Sequence, residues 1–302
     1  MNFDQILSPI GRDIFYKSFW NQKPVIIEGA IDRFSALPSV EDFPSLLMGR
    51  IGEGKWQQTT SLSAQATIAN RLNEITFLPS VPLSMCPSLF NNGYSLCFGD
   101  MSKCDPQLVT LLQSMKMVVP YPTECSITAY VTPKNANGIV HFDSQHVFFV
   151  QRNGTKFWKV AKEAAALNPV TNFIYNKFAQ SHIEQMKHSG YDIRLPRDCG
   201  SQDFRLKQGD VLYLPPGYYH CQHTEDDISF HYTLTFEPHT FRQGLLDIVS
   251  YGLLQDHQEA NRDIRNMDQS EVLIHIENCL DKAKKRLNAQ TSVAILKRLT
   301  QS

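Results

Sequence analysis

Charge of one sign is the first thing this sequence lacks. Twenty-nine Lys and Arg stand against 30 Asp and Glu over 302 residues, a formal net charge of −1. That balance argues against general nucleic-acid binding and leaves only a local basic cluster, Lys282, Lys284, Lys285 and Arg286. No apolar run approaches the ~18 residues a helix needs to cross a bilayer, and Met-Asn-Phe-Asp-Gln at the start has neither the basic nor the apolar part of a leader. No membrane partner is expected. Seven cysteines, at 86, 97, 104, 125, 199, 221 and 279, include no C-x-x-C. Such a set reads as reduced thiols and not as a disulfide framework or a zinc finger. The expected location is cytoplasmic, or nuclear in a eukaryote. Internal repeats and low-complexity tracts are also missing. What is present is an ordinary globular composition, 42% hydrophobic and 20% charged, enough for a sizeable core.

The stretch from Asn137 to Trp158 carries the strongest pattern. His141 and Asp143 are one residue apart, so in a strand both project from one face and can reach one ion. Val147-Phe-Phe-Val150 continues as a buried strand, Asn153-Gly154 favours a tight hairpin turn, and Lys156 follows on the return strand. Upstream, the spacing predicts a helix over 9–20, a strand over Pro24–Gly29, a helix start at Ser39–Asp42, and strands and loops within 55–80. Asp105-Pro106 opens a helix that ends before Pro120, and 126–132 alternates as a strand. Downstream, a helix is predicted between about 171 and 188, then strands at 203–207, 211–214, from Tyr218, and over 228–236. After Pro238 the period turns helical. Phe241 to Leu253 form one segment, and Leu273, Ile276, Leu280, Ala283 and Leu287 form the seam of another.

The expected architecture is mainly β with flanking helices, a double-stranded β-helix (jelly-roll, cupin) core with a helical C-terminal segment. Residues 1–122 would frame the barrel, 123–238 would form it with a helical insertion at about 163–196, and 239–302 would be helical. His220 lies 77 positions after Asp143 and begins a strand after Pro-Pro-Gly. Two imidazoles and one carboxylate on one face form the set that binds Fe(II) and leaves positions open for other ligands. H-x-D alone occurs by chance in many chains, and a lone strand histidine is usually a core or surface residue. Its company decides.

His141-Phe-Asp143, Val147-Phe-Phe-Val-Gln151, Gly154-Thr-Lys-Phe-Trp158 and Gly209-Asp-Val-Leu-Tyr-Leu-Pro-Pro-Gly-Tyr-Tyr-His220 together resemble the Jumonji-C/cupin-type oxygenases, and among them the ribosomal oxygenase branch of protein hydroxylases. The resemblance spans roughly residues 125–238, and the segment from Phe15 to Gly29 is similar to that family's opening. It implies Fe(II) held by His141, Asp143 and His220, with 2-oxoglutarate as cosubstrate and O2 as oxidant. It puts Lys156, fifteen residues after the first ligand, on the distal carboxylate of 2-oxoglutarate, with Thr128 and Thr233 as further contacts. No catalytic side chain beyond the triad is implied, and substrate-binding residues stay unassigned. His146, His223 and His231 are set outside the ligand shell; His223, three residues past His220, falls on the opposite strand face.

The implied reaction is hydroxylation of an amino-acid side chain in a protein or peptide, with decarboxylation of 2-oxoglutarate to succinate. A small metabolite or free amino acid as substrate, N-methyl-lysine demethylation, and a non-oxidative cupin-like metal protein stay open. So does the C-terminal seam, which can pair in a homodimer or pack on its own barrel.

Overall fold

The computed structural model describes residues 1–42, 64–69, 75–103, 105–118, 124–188, 190–226, 228–237, 240, 244–246, 250 and 268–286. In chain order the elements are α1 (Phe3–Leu7), α2 (Arg12–Ser18), β1 (Val25–Ile27), β2 (Ala64–Ala69), β3 (Ile75–Val81), α3 (Cys86–Asn91), β4 (Ser95–Phe98) and α4 (Pro106–Val118). There follow β5 (Cys125–Pro133), β6 (His141–Phe142), β7 (His146–Asn153), β8 (Lys156–Val160), β9 (Phe173–Ile174), α5 (Ala179–His188), β10 (Gln202–Leu206), β11 (Val211–Leu214), β12 (His220–His223), β13 (Ile228–Phe236) and α6 (Gln269–Arg286). The chain divides into one compact unit of Met1–Val118 with Glu124–Glu237, and a second of Val119–Thr123 with Pro238–Ser302.

Two antiparallel sheets build the first unit. One runs β1-β11-β7-β13-β5-β4-β2-β3 and the other β10-β8-β12-β6-β9. From β5 to β8, and again from β10 to β13, the chain changes sheet at every connection, which is the jelly-roll winding expected. Asn153-Gly154 therefore makes no hairpin. Both edges of β7 are already taken, by β11 and β13, so β8 must leave for the other sheet. The turn chemistry itself holds: Gly154 has φ +65°, and a Cβ there would lie 2.4 Å from the Ile228 carbonyl oxygen.

Alternation sorts the side chains of β7. Phe148 points away from the second sheet into an aromatic cluster, meeting the rings of Phe3 at 5.1 Å, Phe236 at 5.7 Å and Tyr213 at 4.8 Å. Val147 and Phe149 point the other way, into a buried cluster with Trp158, Val160, Leu206, Leu212 and Leu214 that fills the space between the sheets. The N-terminal helices cover the first cluster. The expected helix over 9–20 is shorter, α2 alone, and Phe3–Leu7 adds a second one capped by Asn2, whose side chain accepts from the Gln5 N–H.

The insertion also differs from expectation. Helix forms only over Ala179–His188, because Phe173–Ile174 instead pairs with β6 as an edge strand. The Asn176 side chain accepts from the Phe178 N–H and turns the chain between the two. Of the C-terminal helices, α6 covers much of the 273–287 seam; the segment from Phe241 to Leu253 lies mostly outside the described residues. Among the described residues no helix is long and apolar enough to cross a membrane.

Candidate metal centre

His141 on β6 stands opposite His220 on β12 in the pairing register, which sets the two imidazoles 4.2 Å apart, ring centre to ring centre. Asp143 follows β6 in the loop. Its carboxylate lies 3.9 Å from His141 Nε2 and 3.5 Å from His220 Nε2. One ligand atom from each of the three falls within 4.8 Å of the others. Gly217 fixes the approach of both sides. Its N–H donates to the Asp143 carbonyl at 2.8 Å, and its φ of +81° makes the Pro-Pro-Gly turn that delivers His220. Ser144 anchors the other flank, its N–H and hydroxyl both donating to Asn172 of the insertion.

The ring tautomers follow from the backbone. His141 Nδ1 donates to the Ile139 carbonyl at 2.9 Å, and His220 Nδ1 donates to the Tyr218 carbonyl at 3.0 Å. A carbonyl only accepts, so each Nδ1 carries the hydrogen and each Nε2 keeps its lone pair for a metal. Burial, reinforced by His141, lowers the His220 pKa to about 4, so this ring stays neutral and ligating at physiological pH. Two imidazole nitrogens and a carboxylate oxygen brought together in this way fit a divalent iron with open coordination positions. His220 is buried, whereas His141 and Asp143 are half-buried, so the set opens on one side.

Lys156 on β8 is fully buried and points between the sheets. Its Nζ donates to Thr132 Oγ1 on β5 and to His231 Nδ1 on β13, each at 2.9 Å. Burial lowers its pKa to about 7. Thr233 lies two residues from His231 on the same strand and pairs with Thr128 of β5, so the expected hydroxyls share one face with the cation's partners. Thr233 Oγ1 is buried with no hydrogen-bond partner. The indole nitrogen of Trp158 is buried and unpartnered as well; its ring lies 5.9 Å from His220 and 5.8 Å from His231. Orphaned buried donors are costly unless something else supplies the acceptor, by about 1–3 kcal/mol each. A carboxylate lying between the triad and Lys156 would be such an acceptor.

Sequence reasoning missed Thr132 and Trp158 and weighed His231 only as a metal ligand. Thr132 could have been found from strand alternation, since it shares the face of Thr128 and Tyr130. The other two histidines do stand apart. His146 stacks on Trp20 at 3.8 Å and bonds the Tyr213 hydroxyl, on the outer side of β7. His223 is exposed and stacks on Phe157.

Fold and site together define a double-stranded β-helix protein of the cupin type, with a candidate metal-ligand set of His141, Asp143 and His220. Residues 104–243 match the JmjC domain family, and the sequence resembles the ribosomal oxygenase branch of that group. Mouse ribosomal oxygenase 2 is 23% identical over 292 residues, covering 94% of this chain and 57% of that protein. Human ribosomal oxygenase 1 is 24% identical over 275 residues, covering 86% of this chain and 38% of that one. The chain thus spans little more than half of the mouse relative's length. Among solved structures, YcfD, a ribosomal oxygenase from Escherichia coli in complex with cobalt and 2-oxoglutarate, has a TM-score of 0.57 at 15% identity, covering 92% of this chain and 67% of that one. At that identity the likeness is one of fold.

Proposed function

We propose that this chain is an Fe(II)- and 2-oxoglutarate-dependent oxygenase that hydroxylates an amino-acid side chain in a protein or peptide. The observation that carries the reading is the presence of two features in one barrel: the His141, Asp143 and His220 ligand set, and a buried amine on Lys156 whose bonded partners, Thr132 and His231, carry no negative charge. A metal-only cupin has no use for that cation, whereas a dicarboxylate cosubstrate needs it as a charge-assisted partner. The relatives named ribosomal oxygenases support a protein substrate.

In this reading His141, Asp143 and His220 hold the iron, and their backbone-fixed tautomers keep the ligand nitrogens in place. Lys156 neutralises the distal carboxylate, while Thr233 and Trp158 offer the donors that burial has left unmatched. The buried apolar cluster with Phe149, Val160, Leu212 and Leu214 keeps the interior between the sheets dry. Bound iron, together with 2-oxoglutarate and O2, supplies the oxidative chemistry, in which the keto acid is split to succinate and CO2 and one oxygen atom is inserted into a substrate C–H bond. The chain itself contributes orientation, charge and dryness, and no proton-transfer dyad is required.

Anaerobic addition of Fe(II) and 2-oxoglutarate to the purified protein should give a weak visible charge-transfer band that His141→Ala abolishes. Admission of air should then release succinate slowly. A protein showing neither band nor succinate is not an oxygenase of this kind. Mass gains of one oxygen in candidate peptides identify the substrate.

A further inference from the structure

The cation of Lys156 sits at the end of a flexible four-carbon stem, yet it is aimed. Two of its three hydrogens go to Thr132 Oγ1 and His231 Nδ1, which leaves one for a ligand. In the protonated form that pairs with a carboxylate, an ammonium only donates, so there His231 Nδ1 is the acceptor and Nε2 carries the ring hydrogen. The ring cannot swing. It is buried, stacks on Tyr130 at 5.0 Å with planes 4° apart, and is met edge-on by Trp158 and Phe149 at 5.8 Å each.

We propose that His231 is the positioning residue of Lys156: a neutral acceptor, locked by Tyr130, that holds the ammonium so that its free N–H faces the distal carboxylate of the cosubstrate. The inference rests on the 2-oxoglutarate reading above and adds what aims the cation. The choice of imidazole has a physical reason. A carboxylate at this position would neutralise the ammonium internally and repel an incoming anion, whereas a neutral acceptor fixes direction and leaves the charge uncompensated. Burial and the neighbouring Lys156 both hold His231 well below the usual histidine range, which keeps it in the accepting form.

The test is cosubstrate affinity of the full-length protein loaded with Co(II), measured by calorimetry with 2-oxoglutarate. Co(II) affinity, read from its visible spectrum, serves as a second readout that should not change. His231→Phe keeps a ring and removes the acceptor, and is expected to weaken 2-oxoglutarate binding roughly 10- to 100-fold, the range for a lost bond to a charged group. His231→Asn puts an amide oxygen where Nδ1 stood and should stay within about threefold of wild type, whereas His231→Gln, one bond longer, should not. Equal affinity in the Phe and Asn variants, whether tight or weak, would overturn the positioning role. Should His231→Phe fail to fold, the Asn-against-Gln comparison makes the same decision. If the wild-type protein itself does not bind 2-oxoglutarate, the cosubstrate reading fails first, and this inference with it.

Discussion

Lys156 in the unliganded protein is a buried base without an anion, and that has a thermodynamic signature. Its pKa falls from an ordinary 10.5 to about 7. Between those values the unfolded chain holds a proton that the folded chain does not. Stability therefore rises with pH across that window, by up to about 1.4 kcal/mol per pH unit. Thiols and phenols raised by burial, such as Cys97, pushed up to about 11, work in the opposite sense above pH 9. The clean measurement is the difference in unfolding free energy between wild type and Lys156→Met from pH 7 to 9; a flat difference would mean that the ammonium is not desolvated as the fold implies. At this scale the candidate ligand cluster of His141, Asp143 and His220 was legible in the sequence, because H-x-D and the Pro-Pro-Gly-Tyr-Tyr-His run combine ligand chemistry with strand and turn signals. Alternation places Thr132 on the Thr128 face, but that it and His231 meet Lys156 was not legible, because the contacts cross the gap between two sheets and no local pattern reports which strand lies opposite which.

Single elements were read well where both propensity and pattern agreed. β13 runs over Ile228–Phe236 as its alternation predicts, and α4 starts at the Asp105-Pro106 signal. Two of the failures share a cause. β9 and the Asn153-Gly154 connection both follow from tertiary pairing, β9 because β6 needed a neighbour and β8 because β7 had none to spare. The turn before β12 is the element on which the metal site most depends. A Cβ at Gly217 would lie 2.0 Å from the Ala166 carbonyl oxygen. Gly217→Ala should cost on the order of 1–3 kcal/mol by strain and lower Co(II) affinity by displacing His220; a variant that melts lower but binds cobalt normally would uncouple the turn from the site. On the far side of the sheet, Phe3 is fully buried between Phe148 and Phe236, each ring 5.1 Å away. Phe3→Ala should cost about 3–5 kcal/mol, seen as a lower urea midpoint with little change in cobalt binding.

The molecule as a whole raises the question of assembly. On α6, Leu273, Ile276 and Leu280 follow helical spacing and remain about half exposed. Apolar side chains exposed at helical spacing favour self-association. We expect a homodimer through the C-terminal helices, seen as twice the chain mass by sedimentation and lost in Leu280→Glu; a wild-type monomer at micromolar concentration would argue against it.

The two halves of the candidate site are also held by different parts of the barrel. His141 and His220 are neighbours within the five-stranded sheet, whereas the Lys156 contacts cross from that sheet to β5 and β13 of the other. One half is stitched by a ladder, and the other is a rivet between two plates. When mild denaturant loosens the sandwich, the rivet should give first. Titration with urea should therefore abolish 2-oxoglutarate binding at a lower concentration than it releases cobalt, leaving a window in which the protein still grips metal but has lost its cosubstrate.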